Sequence, residues 1–67
     1  MVWILTDNTN GNEFVACSFV RSVIENTLKL LIENDKMFGN HCMYTIKRIE
    51  NSGEGHSKYF DEGFFYS

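Results

Sequence analysis

The chain has 67 residues, of which 43% are hydrophobic and 15% aromatic, and its formal net charge at pH 7 is −3. This length excludes a second domain and the composition excludes a disordered chain, so we expect one small domain over residues 1–67. No apolar run approaches the ~18 residues of a membrane span and no secretion signal opens the chain, which predicts a cytoplasmic protein without membrane contact.

The first segment predicts a β-hairpin. Residues 2–5 are β-branched, aromatic or aliphatic, and residues 6–12 consist almost wholly of turn formers. Asn10-Gly11 is the dipeptide best suited to two successive positive φ angles, and residues 14–19 form a second apolar run. We therefore expect two antiparallel strands joined by a turn at Asn10 and Gly11.

A helix is predicted over residues 22–37. Ser22 and Glu25 have the spacing of a capping box, in which each side chain accepts a hydrogen bond from a backbone N–H of the first turn. Gly39 is suited to the left-handed position that ends a helix, and Lys36 to the negative end of the helix dipole. The helix should therefore begin at Ser22 and end before Gly39.

The predicted helix is amphipathic. Its apolar residues recur every three or four positions and form one stripe that faces a sheet. These residues are Val23, Ile24, Leu28, Leu31 and Ile32, with Thr27 and Leu30 at the margins. Polar residues take the opposite face, where Glu25 and Lys29 are spaced for an ion pair worth about 0.3 kcal/mol.

The C-terminal half predicts further strands. Residues 42–50 are rich in strand formers, and Ile49 is out of phase with Tyr44, which indicates a bulge or a strand covered on both faces. A turn is expected at residues 51–55, and residues 58–66 predict a terminal strand or short hairpin. The expected fold is thus α+β, with one helix on one face of a small antiparallel sheet in ββαββ order.

The cysteines and histidines lack the spacing of a metal site. A zinc site needs two pairs of ligands two to four residues apart, whereas Cys17, His41, Cys42 and His56 include only one adjacent pair, whose side chains would point to opposite faces of a strand. We therefore expect no metal, no cofactor, and two free, mostly buried thiols. A disulfide between Cys17 and Cys42 is the alternative if their strands are neighbours.

The sequence contains no recognisable catalytic motif. Neither cysteine has a context that would activate a thiolate, and the Asn-rich loop at residues 7–12 lacks the alternating ligands of a calcium loop. Residues 53–55 lack the third glycine of a phosphate-binding loop. The chain is also short for a pocket of several hundred Å³ that could bury a substrate. We expect no catalytic residues and no enzymatic activity.

The C-terminal segment carries five of the ten aromatic residues. One helix covers only one face of a sheet, so part of this aromatic surface is expected to contact another protein chain; closure of the core is the alternative. The predicted partner-binding residues are Tyr59, Phe60, Asp61, Glu62, Phe64, Phe65 and Tyr66. Asp61 and Glu62 would form a charged rim for a basic partner. Strand alternation places Phe64 and Tyr66 on one face and Phe65 on the other.

Size, the lack of catalytic motifs and the surplus of aromatic residues predict a non-catalytic protein-binding module. Asn, Lys, Ile, Phe and Tyr total 25 residues, and Ala, Pro, Gly and Arg total 8, which indicates an AT-rich gene of the kind frequent among bacteriophage early genes. We therefore expect a viral early protein that binds and inhibits a bacterial host or defence protein in the host cytoplasm. A homodimer would be another use of the aromatic surface.

The alternative function is that of a nucleic-acid-binding or DNA-mimicking regulator. Aromatic side chains could stack on single-stranded bases. The six Lys and Arg residues are scattered, however, and the net charge is −3, which argues against extensive phosphate contacts. A protein partner is therefore the leading prediction and a nucleic acid the second.

Overall fold

The computed structural model describes residues 1–51 and 55–67. Its elements in chain order are β1 (Val2–Asp7), β2 (Glu13–Ser18), α1 (Arg21–Phe38), β3 (Met43–Asn51) and β4 (Ser57–Tyr66). The strands form one antiparallel sheet in the order β2-β1-β3-β4, which confirms the predicted α+β fold and its ββαββ order. Most of the turn predicted at residues 51–55 lies outside the described residues.

β1 and β2 form the predicted hairpin, but within the Asn10-Gly11 dipeptide only Gly11 has the positive φ expected for both residues. Gly11, in the connecting turn, has a φ of 116°, a value that favours glycine. Leu5 lies opposite Ala16, whereas the next residue of β1 lies opposite Phe14, so Val15 is a bulged residue in β2. This bulge lies in an edge strand, where bulges are most frequent.

The C-terminal residues form one strand, β4, rather than a hairpin of their own. Ile46 of β3 lies opposite Gly63, whereas Lys47 lies opposite Asp61, so Glu62 is a bulged residue in β4. Both edge strands of the sheet therefore contain a bulge.

β3 is regular in its pairing with β1. The register runs without interruption from Tyr44 opposite Asp7 to Ile49 opposite Val2. Ile49 therefore projects from the face of the sheet opposite to Tyr44, and it is half-buried there. Of the two interpretations left open for Ile49, the structure supports a strand with partial cover on both faces.

The helix α1 has nearly the predicted bounds, but its N-terminus does not use the predicted capping box. The N-cap residue is Val20, which has an extended backbone (φ −115°, ψ 116°) and no side-chain cap. Ser22 therefore lies inside the first turn, and the N–H of Val20 donates to Ser18 Oγ at 3.0 Å. At the other end, Gly39 has the left-handed conformation predicted for it, with a φ of 71°.

The buried stripe of α1 is narrower than predicted. Its buried residues are Ile24, Leu28 and Asp35, and the predicted members Leu31 and Ile32 are partly buried. Val23, assigned to the stripe from its spacing, is instead 49% exposed. The reason is that the buried line passes through Ile24 and Leu28, so Val23 falls on the flank of the helix.

The ion pair predicted within α1 forms with a different partner. Arg21 Nε donates to Glu25 Oε1 at 2.9 Å, so Glu25 pairs with the residue one turn before it instead of with Lys29. Both side chains are about half exposed, and such pairs contribute a few tenths of a kcal/mol (~0.3).

The core lies between α1 and one face of the sheet. Its fully buried hydrophobic residues are Leu5, Ile24, Leu28, Tyr44 and Ile46. α1 lies over β1 and β2. We call the side of the sheet that carries Leu5 and Ile46 the helix face, and the opposite side the open face.

A buried polar contact joins α1 to the sheet. Tyr44 Oη donates to Asp35 Oδ2, and the two residues are 3% and 6% exposed. Burial, followed by this hydrogen bond, raises the pKa of the Tyr44 phenol well above its usual value. The phenol therefore stays protonated at neutral pH and connects the C-terminal part of α1 to β3.

Candidate interaction surface

The open face of the sheet carries four exposed aromatic side chains. The strand register places Phe14 of β2 and Tyr59, Phe64 and Tyr66 of β4 on this face. Their exposed fractions are 66%, 69%, 59% and 70%, respectively. An antiparallel sheet with one solvated face normally has polar residues on that face, so the needs of the fold do not explain this aromatic surface.

The aromatic side chains lie on the two edge strands, with smaller side chains between them. In one cross-strand row, Phe14 and Phe64 flank the pair formed by Thr6 of β1 and Thr45 of β3. Three strand spacings of about 4.8 Å separate β2 from β4, which gives a distance of roughly 14 Å. The open face is therefore lower at its centre than at its edges.

The open face also carries polar and charged side chains. Lys47 of β3 lies directly opposite Asp61 of β4, so their charges balance. Thr45 is only 1% exposed, and its hydroxyl oxygen Oγ1 accepts a hydrogen bond from the side-chain amide of Asn8. The open face thus carries one charge of each sign beside its aromatic side chains.

The seven predicted partner-binding residues are divided between the two faces. Tyr59, Asp61, Phe64 and Tyr66 lie on the open face, and Phe60, Glu62 and Phe65 lie on the helix face. Phe65 packs against the core, with its ring 3.1 Å from the position that a Cβ on Gly63 would take. The expected alternation of Phe64, Phe65 and Tyr66 is present, and the binding role of the exposed residues stays a prediction.

Glu62 does not belong to a free charged rim. Its carboxylate lies 3.2 Å from Arg48 Nη1 and 3.9 Å from Arg21 Nη1. Arg48 also lies over the ring of Phe60, at 4.7 Å from the ring centre. Glu62 is therefore held by Arg48 and is not free to contact a partner. Of the two carboxylates predicted to form the charged rim, Asp61 is the one that is exposed.

Phe14 was not recognised from the sequence as part of this surface. It was assigned to an apolar strand, and the bulge at Val15 turns it onto the open face. The segment Glu13–Ser18 contains no glycine, so no residue type in β2 marks the bulge in advance. The opposing pair Phe14 and Phe64 emerges only from the three-dimensional register.

A groove lies on the helix face, between α1 and strands β3 and β4. It has a volume of about 530 Å³, and an apolar floor formed by Leu28, Ile32, Ile46 and Phe65. Charged residues of α1 form its rim: Arg21, Glu25, Lys29, Glu33 and Lys36. The groove is open to solvent, because α1 covers β1 and β2 and leaves the neighbouring half of the sheet accessible. The floor holds no titratable side chain.

The cysteines are free thiols. Cys42 is half-buried, but Cys17 is exposed on the edge strand β2, which corrects the prediction that both thiols are mostly buried. Within residues 1–51 and 55–67, no group of three His, Cys, Asp or Glu side chains could hold a metal ion. In the same described part of the chain, no helix is long and apolar enough to cross a bilayer.

Comparison with known proteins does not assign the chain to a family: no family model, curated protein or solved structure matches it. Function must therefore be inferred from the surfaces themselves. The open face offers exposed aromatic contact area, and the groove offers an apolar floor.

Proposed function

We propose that the chain is a non-catalytic protein-binding module whose partner docks on the open face. The observation that supports this proposal is the exposure of Phe14, Tyr59, Phe64 and Tyr66 on a sheet face that α1 does not cover. Aromatic side chains combine a large contact area with few rotatable bonds, and they are enriched at the centres of protein interfaces.

The exposed aromatic area is adequate for a specific interface. The four side chains expose 59% to 70% of their surface, and at roughly 200 Å² each they offer about 500 Å² together. A standard interface buries about 800 Å² on each partner. The half-buried residues between the aromatic edges, such as Ile4 and Ile49, would supply the remainder, so the footprint covers most of this sheet face.

The shape and charge of the open face define the chemistry of the partner. The distance of roughly 14 Å between the edge strands accommodates one α-helix, whose diameter with side chains is about 10–12 Å. The exposed aromatic side chains of the two edge strands favour an apolar side of that helix. The net charge of −3 favours approach of a basic protein. The partner is therefore a basic protein that presents an amphipathic helix.

More specifically, we propose that the chain is a phage early protein that inhibits a bacterial host or defence protein. The small size and the AT-rich residue usage support a phage origin. Inhibition follows from the binding mode, because a helix held on the open face is no longer available to its own partners.

Affinity capture with matched variants tests this proposal. The immobilised chain is compared with Phe64→Ala/Tyr66→Ala and with the control Phe19→Ala, which removes an even more exposed aromatic ring outside the sheet, 78% against 59% and 70%. We expect a stoichiometric bacterial protein on the wild type and on the control but not on the double variant. The purified partner should then bind at least about tenfold more weakly to the double variant in calorimetry. Equal binding to all three chains, or no stoichiometric partner, would contradict the proposal.

A second candidate is binding of single-stranded nucleic acid. Exposed aromatic residues on a four-stranded sheet can stack on bases, and this observation favours the candidate. Lys47, however, lies opposite the carboxylate of Asp61 in the strand register on this face, and the net charge of the chain is −3, which opposes phosphate contacts. Fluorescence anisotropy with labelled oligonucleotides at low salt separates the two functions: binding that weakens steeply with salt and is lost in Phe64→Ala/Tyr66→Ala would favour nucleic acid.

A further inference from the structure

We propose that the chain forms a symmetric homodimer through the side of the molecule made by β2 and the adjacent flank of α1. In this dimer the free edge of β2 pairs antiparallel with the same edge of a second copy, and the two α1 helices pack side by side. This interface is separate from the open face, so it goes beyond the proposed partner binding and does not depend on it.

The charges of α1 are segregated to one flank. Arg21, Glu25, Lys29, Glu33 and Lys36 line the groove beside β3 and β4. The opposite flank, which therefore faces the β2 side, contains no charged residue. Its members are Val23, Thr27, Leu30, Asn34 and Met37, and we call this set the uncharged flank. A solvated helix flank normally carries charges, so its uncharged character indicates contact with another chain.

The uncharged flank has the spacing of a helix-packing seam. Its members follow one another at intervals of three and four residues, which keeps them in one line along a helix. Val23, Leu30 and Met37 are separated by seven residues each, and they are 49%, 67% and 79% exposed. Asn34 is exposed among them, and a polar residue at a seam position fixes the register of paired helices. An apolar seam of this kind fits another helix with the same seam.

The two edges of the sheet differ in their protection against pairing. β4 carries Lys58, Asp61 and Glu62, and charged residues on an edge strand discourage association with another strand. β2 has no charged residue after Glu13, and its remaining residues are Phe, Val, Ala, Cys and Ser. Short length and the bulge at Val15 limit this edge to a brief ladder. The β2 edge is therefore the one open to a second strand.

Strand and helix spacings are mutually consistent with the dimer. α1 lies over β1 and β2, so its axis is about half a strand spacing inside β2. Pairing of β2 with the second copy then places the two helix axes about two strand spacings apart, which is roughly 10 Å. Packed helices lie 8–10 Å apart, depending on their side chains. A single dimer arrangement therefore pairs the free edge of β2 and also covers the uncharged flank of α1.

Symmetry and charge favour a second copy of the chain as the partner that binds the β2 edge and the uncharged flank. A strand paired antiparallel with its own copy forms a self-complementary interface, in which each contact occurs twice. Each chain carries a net charge of −3, which opposes self-association through charged surfaces. The uncharged flank and β2 bring almost none of that charge to the contact, so the repulsion is small there.

Sedimentation equilibrium with two lysine variants tests the dimer. We expect a wild-type mass twice that of one chain. Leu30→Lys, in the uncharged flank, should weaken association at least about tenfold because it buries an unpaired charge at the contact. Tyr59→Lys places the same charge at a residue of nearly equal exposure on the open face, 69% against 67%, and should remain dimeric. Circular dichroism checks folding; should Leu30→Lys unfold, Met37→Lys at the more exposed end of the flank takes its place.

Hydrogen exchange of the wild type gives a test that needs no substitution. The outward amides of β2 should exchange more slowly as the protein concentration rises, whereas those of β4 should not change. A single-chain mass at millimolar concentration, or a dimer that survives Leu30→Lys, would overturn the proposal. Dissociation by Tyr59→Lys would place the contact on the open face and would overturn it as well. Leu30→Lys should leave heterologous partner binding on the open face intact, so this proposal and the proposed function fail separately.

Discussion

Tyr44 and Asp35 form a buried hydrogen bond, with the phenolic Oη of β3 donating to the carboxylate Oδ2 of α1. It joins the helix to the sheet beside the hydrophobic core residues Leu5, Ile24 and Leu28. A buried polar pair of this kind favours one arrangement of helix and strand, because any shift leaves both groups without a partner.

We expect Tyr44→Phe to lower the free energy of unfolding by about 1–3 kcal/mol, since it leaves the Asp35 carboxyl buried without its donor. The control Tyr59→Phe removes an exposed hydroxyl and should change stability by less than about 0.5 kcal/mol. Urea unfolding measures both. In a double-mutant cycle, Asp35→Leu with Tyr44→Phe should cost less than the sum of the single changes; strict additivity would show that the pair is not coupled.

Stability should fall at alkaline pH because of Tyr44. Burial, and then the hydrogen bond to Asp35, raise the pKa of this phenol in the folded protein well above its usual value, whereas in the unfolded chain it ionises near pH 10. The native state therefore holds the proton more tightly. The contribution of the protonated Tyr44 phenol to the free energy of unfolding is fully present below about pH 10. It decreases as the pH rises further, by at most ~1.4 kcal/mol per pH unit.

Urea unfolding from pH 8 to 11 measures this dependence, with Tyr44→Phe as the control that lacks the phenol. The difference in unfolding free energy between the two proteins should be constant below about pH 10 and shrink above it. A constant difference over the whole range would contradict the assignment of the alkaline loss to Tyr44.

Adjacent phenylalanines of β4 should respond differently to truncation. Phe65 packs against the core and over Gly63, so Phe65→Ala should cost about 2–4 kcal/mol of stability. Phe64 is 59% exposed on the open face, and Phe64→Ala should cost less than about 1 kcal/mol while weakening partner binding. Thermal unfolding and calorimetry measure the two effects. Equal loss of stability in both variants, with unchanged binding, would remove Phe64 from the proposed interface.

The end of α1 depends on the backbone of Gly39. Its φ of 71° is left-handed, and a Cβ at this position would meet no atom within 4 Å. Gly39→Ala should therefore destabilise the protein through backbone conformation alone, by about 1 kcal/mol. Gly39→Asn is the matched control and should cost less, because Asn adopts this conformation more readily. Chemical denaturation measures both, and equal costs would show that another contact is disturbed.

Local patterns in the sequence were sufficient for the main elements. The three- and four-residue repeat predicted a helix over residues 22–37 and Gly39 marked its end, close to the observed Arg21–Phe38. The hairpin followed from Asn10-Gly11 between two apolar runs. These signals are local, because each element satisfies most of its backbone hydrogen bonds within itself or with its nearest neighbour in sequence.

Failures of prediction occurred where distant residues decide the outcome. Ser22 has the residue type of an N-cap, but Ser18 binds the N–H of Val20, and the helix begins one residue earlier than Ser22. The burial of Asp35 depends on Tyr44 of another element, so no helical periodicity could reveal it. For the candidate surface, alternation separated Phe64 from Phe65 correctly. The strand register was needed to add residues from β2.

The single extra residues in β2 and β4 determine which side chains share the open face. Tyr59 and Phe64 are five positions apart, and an unbroken strand would send them to opposite sides; the additional residue Glu62 brings them together. Phe14 and Cys17, three positions apart, are united in the same way by Val15. Deletion of Glu62 alone would therefore leave Tyr59 and Phe64 four positions apart in a regular strand, still on the same side, and would remove only the carboxylate that contacts Arg48. The set of side chains on the open face is therefore fixed by the pairing of the residues on each side of the bulge with β3, and the bulge position could lose its residue without changing that set.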